Sequence, residues 1–211
     1  MSDYKEILFK DLIARYQVGE RDFSEVLIET VPDSLTWEPG QFKGLDLSGI
    51  ILRDSNIIWL RNWLDGVIMR GADLTRVDLG ECNFAEGDLS NAILCETGFF
   101  QSVFEHTNFS GADLTKARLV GTDFFCANMS RANLSNTRIS ALGFNHTDFT
   151  DATFCGARFD CVTFENAWLI RTDFRGADFC LEDETFRVKF RECRFEQAIM
   201  PDGSIRTDSS S

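Results

Sequence analysis

The sequence predicts an all-β solenoid whose chain turns a corner every five residues, with an α-helical cap at its N-terminus. Three observations predict it. Stepping by five from Leu74, every residue met as far as Phe179 is Leu, Phe, Met or Ile. With about half of residues apolar, chance gives such a run with a probability on the order of 10⁻⁷. The residue two before each centre is small, mostly Ala or Thr, with Leu142 the one large exception. The residue one before it is often Asp or Asn, as at Asp73, Asp78, Asn83 and Asp88.

Neither helical nor simple strand periodicity produces a five-residue rule. A short extended face followed by a turn does. The centre and the small residue two before it both point inward, and the residue between them points out. Asp, Asn, Ser, Thr and Gly near the corners suit tight turns.

GADLT at 71–75 and 111–115, RANLS at 131–135 and RGADF at 175–179 resemble the motif of the pentapeptide-repeat family. The resemblance implies a right-handed quadrilateral β-helix with four five-residue repeats per coil. It is very specific as a signal of fold and poor as a signal of function.

The elements follow in order. Residues 3–17 carry Ile7, Leu8, Leu12 and Ile13 on one helical stripe, and Gly19 can end the helix. Residues 1–20 are therefore expected to cap one raw solenoid end. RDFSEVLIE starts the first coil, and TVPDSLTWEPG at 30–40 reads as a loop. The β-helix spans 21–200, with a regular core at 64–179. The step from Ile57 to Leu64 is seven, so two extra residues fall at 58–63. A one-residue phase shift near 181–185 precedes Phe190, Phe195 and Met200, and a flexible tail is expected over 201–211.

With four repeats per coil, each centre stacks on the fourth centre after it at about 4.8 Å. Phe84, Phe104, Phe124, Phe144 and Phe164 then form an interior ladder. Arg118, Arg138 and Arg158 form an outward column bounded by Asp78 and Asp178. Such a column is either a solvated stripe or a recognition site for an anion or a carboxylate; Asp160 is the nearest relief for Arg158 in sequence. A second column, Glu86, His106, Cys126, His146 and Asn166, holds both histidines of the chain. His106, Cys126 and His146 are a weak zinc candidate, since zinc takes His and Cys ligands. Arg131, Asp151 and Arg171 form a ladder of alternating charge.

Composition narrows the function. The 34 acidic and 21 basic residues give a net charge of −13. Direct nucleic-acid binding needs clustered Lys and Arg and is not expected. No apolar run reaches the ~18 residues of a membrane span. The N-terminus lacks a signal-peptide apolar region. Seven cysteines, odd in number and without CxxC spacing, suit reduced thiols in a cytoplasmic protein. No catalytic motif is present, the aspartates are accounted for by the repeat, and a convex solenoid surface offers no obvious pocket.

The expectation is a non-enzymatic, cofactor-free scaffold that binds a protein partner of unknown identity through its flat faces, as a monomer or at most a weak dimer. The resemblance allows a regulatory role, since some cyanobacterial members of the family regulate cell differentiation. It also allows DNA mimicry against a type II topoisomerase, because members that protect gyrase from quinolones are acidic rods of this fold. Residues 71–180 carry 15 acidic and 8 basic side chains, a net of −7, compatible with that alternative. The arginine column interrupts a continuous negative face. A purely structural role is the third reading.

Overall fold

Four consecutive repeats each pair in parallel with the repeat one coil further on: Asp73 with Ile93, Asp78 with Gly98, Asn83 with Val103, and Asp88 with Asn108. This makes the solenoid four-sided. The computed structural model describes residues 4–29, 42–57, 60, 64–179 and 187–208. The first face has its centres at Phe84, Phe104, Phe124, Phe144 and Phe164. The fourth face has them at Leu79, Phe99, Leu119, Ile139, Phe159 and Phe179.

A short strand β1 (Lys5–Leu8) leads into helix α1 (Phe9–Gln17), and β2 (Val26–Glu29) follows. The fourth face carries β3 (Gly98–Phe100), β4 (Arg118–Val120), β5 (Arg138–Asn145) and β6 (Arg158–Glu165), the last two continuing round the corner onto the first face. Strand β7 (Trp168–Ile170) pairs with β9 (Arg194–Glu196), and β8 (Lys189–Arg191) completes the sheet β3-β4-β5-β6-β8. Strands β10 (Ala198–Ile199) and β11 (Ile205–Arg206) form an antiparallel hairpin.

Each repeat is held at three points. The backbone is bonded within the turn and between coils: Gly87 N–H donates to Phe84 O at 2.9 Å, and Phe84 N–H to Val103 O at 2.8 Å. The Asp or Asn before the centre turns its Oδ1 onto the backbone N–H two residues on. Thr75, Gly80, Ala85 and Ser90 donate in this way to Asp73, Asp78, Asn83 and Asp88 at 2.9–3.1 Å. Where Thr fills the small inward position, its hydroxyl donates to the centre carbonyl of the preceding coil, except at Thr137, which donates to Leu134 O within its own turn. Thr107 bonds Phe84 O at 2.8 Å, and Thr147 bonds Phe124 O at 3.0 Å. These buried hydroxyls are therefore satisfied, as burial requires.

The fifth position has a conformational rule of its own. Every fifth residue from Gly66 to Gly176 has a φ between 50° and 70°. No β-branched residue occupies any of these positions, because the left-handed region penalises branching at Cβ. Long polar residues such as Arg76, Lys116 and Arg131 tolerate the strain, held by the ladder on either side.

The interior is filled by the phenylalanine ladder. Ring centroids are 5.3, 5.5, 5.6 and 5.0 Å apart from Phe84 to Phe164. The ladder goes one rung further, to Phe190 at 5.1 Å. Each fully buried ring contributes about 1.5–3 kcal/mol of burial, and stacked neighbours add about 0.5–1.5 kcal/mol.

The structure corrects three expectations at the ends. The cap is not helical from residue 3. Residues 5–8 are a strand paired with β2, which places Ile7 opposite Ile28, and only Phe9–Gln17 is helix. Pairing satisfies the backbone edge of the first coil, which outweighs the helical stripe. The shift near 181–185 is not a one-residue event. Phe164 pairs with Phe190 and Trp168 with Arg194, so this coil is longer than a regular one by a whole repeat and one residue. The whole repeat leaves the pentapeptide phase unchanged, so the sequence shows only the remainder. The chain to Asp208 is not a frayed tail either. Its hairpin lays the Arg206 guanidinium 3.6 Å from the centre of the Phe195 ring and covers the last rung of core.

The loop expected over 30–40 lies outside the described residues, as do 58, 59, 61–63 and 180–186. Flanking registers bound the first two: Asp22 pairs with Ile51, and Asp46 with Ile68, both at offsets longer than the regular coil.

Truncating a middle rung, Phe124→Ala, is expected to destabilise the protein by about 3–5 kcal/mol. Ala141 sits at φ 52° with a methyl that makes no polar compensation. Ala141→Gly is expected to stabilise by about 1 kcal/mol. Thermal and denaturant unfolding monitored by circular dichroism check both.

Candidate functional site

Most acidic side chains are engaged in the scaffold. Asp73 is buried; it accepts from Thr75 N–H and Oγ1 and from Arg53 Nε at 2.6 Å. Burial alone would raise its carboxyl. The Thr75 hydroxyl and N–H and the Arg53 guanidinium outweigh burial and hold it below the ordinary carboxylate range. The same balance holds at Asp88, with Ser90 and Arg70, and at Asp173, with Arg175. The alternating column behaves as a surface pair: Arg171 donates twice to exposed Asp151, at 2.6 and 2.7 Å. Burial, and next the charge of Asp113, push the Cys95 thiol up to about 11, and burial also raises Cys193. Neither thiol is a ready nucleophile.

His106, Cys126 and His146 all sit at left-handed corner positions of the first face. No group of three or more metal-ligating side chains converges among the described residues. The imidazoles instead flank Phe125 edge-on, with centroids 5.9 and 5.5 Å away. Phe125 occupies the outward position between them in sequence, and a zinc reading overlooks it. The outward positions of this face over residues 82–166 carry Glu86, Glu105, Asp123 and Glu165 and no Lys or Arg. Lys43 reaches Glu86 from two coils away, across the Gly66 corner.

The arginine column is assembled by backbone register. Arg118 pairs with Arg138, and Arg138 with Arg158, in parallel on β4, β5 and β6. All three side chains are exposed. Arg158 has relief from Asp178, with Nε 3.8 Å from Oδ2, and not from Asp160 as the sequence suggests. Asp160 shares its strand but stands two positions along it, whereas Asp178 stacks directly on Arg158. Arg118 and Arg138 make no ion pair with any described residue.

Beside them the surface is not convex. Gly98 stands between Asp78 and Arg118 in the same column, bridged to one and paired with the other. Its missing side chain opens a shallow groove of about 630 Å³, lined among others by Asp78, Gly98, Phe100, Arg118, Val120 and Arg138. Phe100 is 50% exposed, although it follows a centre directly, where the chain is otherwise mostly small or polar. Sequence reading places the arginines but misses Gly98 and Phe100. The signals are a glycine where Asp, Asn or Arg prevails and a phenylalanine at an outward position.

A four-sided coil of about seven turns, held by Asx corners and filled by one large side chain per repeat, defines a β-helical repeat protein. The family model for pentapeptide repeats matches residues 64–99, 102–140 and 144–180 in 8 copies, and the chain belongs to this family. Solved structures of other pentapeptide-repeat proteins are similar to this chain at low identity. HetL, a pentapeptide-repeat protein involved in heterocyst differentiation regulation from the cyanobacterium Nostoc, is 21% identical over 95% of this chain and 100% of its own, with a TM-score of 0.45. Rfr23 from the cyanobacterium Cyanothece is 21% identical over 68% of this chain and 93% of its own, with a TM-score of 0.32. QnrB1, a plasmid-mediated fluoroquinolone resistance protein, is 16% identical over 86% of this chain and 78% of its own, with a TM-score of 0.25. No curated protein matches the chain. No helix among the described residues is long and apolar enough to cross a membrane.

The lowered carboxyls couple stability to acid. Their folded values lie below the unfolded ones, so their stabilisation is complete above about pH 4. It is lost as pH falls through the lowered folded values. Thermal midpoints are expected to drop steeply below about pH 4 and less so in Asp73→Asn, which keeps the Oδ1 acceptor but loses the charge.

Proposed function

We propose that this protein is a non-enzymatic scaffold that binds a protein partner through the fourth face of its β-helix. The observation that carries this is the Arg118–Arg138 pair, without an ion-pair partner among the described residues, beside exposed Phe100. Like charges stacked at about 4.8 Å repel, and the repeat does not require arginine at either position. Asp, Asn or Thr occupies the equivalent position in most other repeats, where an Asp or Asn also closes the turn. A flat parallel sheet with cations and an aromatic at its centre is suited to protein recognition, for which Arg and aromatic residues are the usual anchors. No disulfide joins the cysteines of the described residues, which supports a cytoplasmic setting, and the protein is read as a monomer.

In pull-downs from native lysate, Arg138→Glu is expected to abolish capture of a specific partner. Arg131→Glu, on a different face, is expected to leave it intact. Equal capture by both variants would remove the fourth face from consideration.

Imitation of duplex DNA against a type II topoisomerase is the alternative, and one observation favours it. Each face of the central coils carries three or four carboxylates, but the first face over residues 82–166 has no Lys or Arg of its own to offset them, so the net negative charge is greatest there. If that reading holds, Glu105→Lys with Asp123→Lys abolishes an effect of the protein on gyrase supercoiling, while Arg138→Glu does not.

A further inference from the structure

Resting on the fourth-face reading, we infer that the groove at Gly98 takes an extended acidic segment of a protein partner. In that segment a carboxylate and an apolar side chain are separated by one residue.

The geometry of the face sets the spacing. Arg118 opens β4 and Val120 closes it; Gly98 and Phe100 stand in the same relation on β3. Register aligns the two strands, Gly98 with Arg118 and Phe100 with Val120. The face therefore presents a cationic column and, two residues along the strand at about 6.6–6.8 Å, a short apolar pair, Phe100 and Val120, that gives way to Ser140 and Asp160 on the following coils. In an extended chain, side chains at i and i+2 leave the same side with that same separation. A carboxylate over Arg118 then places its i+2 neighbour over Val120, with Phe100 beside it on the preceding coil.

Charge sets the class of ligand. Arg118 and Arg138 lack ion-pair partners among the described residues, and adjacent guanidiniums bind carboxylates with directed, charge-assisted hydrogen bonds. Phosphate would meet the same donors. A long nucleic acid would run beyond the column onto Asp78 and Asp178 and meet a molecule of net charge −13, and it binds through many phosphates at once. A short acidic segment meets Arg118 and Arg138 together with Asp78 and Glu96, which also line the groove and of which Glu96 is offset by Lys116; beyond about 10 Å the rest of the molecule's charge is screened. Gly98 makes room for this segment. A Cβ built there meets only Asp78 Oδ1, at 3.7 Å, an ordinary contact. A side chain at this position is therefore sterically permitted, and the groove is open because the residue is glycine.

The test uses the full chain and a display library of random linear dodecapeptides, counter-selected against the Arg118→Gln/Arg138→Gln double variant. Enrichment of Asp or Glu two positions from Leu, Ile, Val or Phe is expected, in either order. Enriched peptides are then synthesised and labelled. Their Kd is expected to rise at least tenfold for the double variant and for Gly98→Val, which fills the groove without removing a charge. Moving the apolar residue one position along the peptide is expected to cost a similar factor. Unchanged thermal midpoints would show that the variants fold. Three outcomes overturn the inference: no enrichment, enrichment without carboxylates, or binding that tolerates Gly98→Val. If partner capture depends on Arg138 while the peptides fail in this way, the fourth face remains the docking face and its ligand chemistry is different. If capture is also indifferent to Arg138, the face itself is wrong.

Discussion

Backbone amides and carbonyls bond one another from each coil to the next, and the position of every other group follows from that ladder. Phe84 N–H reaches Val103 O, Phe104 N–H reaches Asp123 O, and the offset then repeats. The ladder requires each corner to close within one repeat, so one residue per repeat must adopt a left-handed φ. It also requires the inward centre of each coil to lie over its counterpart. The phenylalanine ladder is the result. Interior packing tolerates little volume change at such a site, which is why a small residue accompanies each large one.

The same register that stacks rings also stacks charges, without regard to sign. Where opposite charges fall together, as at Arg171 and Asp151 or Arg76 and Asp54, they pair at the surface. Pairs of this kind contribute modestly, about 0–1 kcal/mol. Where like charges fall together, as at Arg118 and Arg138, the ladder holds them in place at a small electrostatic cost. The fold is stable enough to carry such a column, and what remains unpaired on a rigid scaffold is available to a partner. The glycine at 98 works in the same direction, removing one side chain from an otherwise filled surface.

Both ends are closed differently from the middle. At the N-terminal end, β1 adds a strand to the first coil before α1 begins. At the C-terminal end, the β10–β11 hairpin lays Arg206 over Phe195. Raw solenoid ends expose core and unpaired edges, and here each is met by a local element absent from the repeat. For that reason the ends are the least legible part of the chain. Ile7, Leu8, Leu12 and Ile13 satisfy a helical stripe, yet Ile7 is used in a strand. The insertion before Phe190 adds more than a full repeat but disturbs the five-residue phase by one.

The sequence by itself determined the repeat, its phase from Leu64 to Phe179, the filling of the core and the vertical columns, because in a solenoid neighbours in space lie at a constant distance in sequence. It therefore also placed Arg118, Arg138 and Arg158 in one line. Tertiary structure alone decided which of those cations are relieved, since Arg158 finds Asp178 across a coil while Asp160, nearer in sequence, stays apart. It likewise decided that His106 and His146 flank Phe125 rather than converge on Cys126, and that Gly98 and Phe100 open a groove in a surface expected to be convex. These outcomes depend on side-chain direction at the corners and on the absence of one side chain between two others. Periodicity counts positions and does not record either.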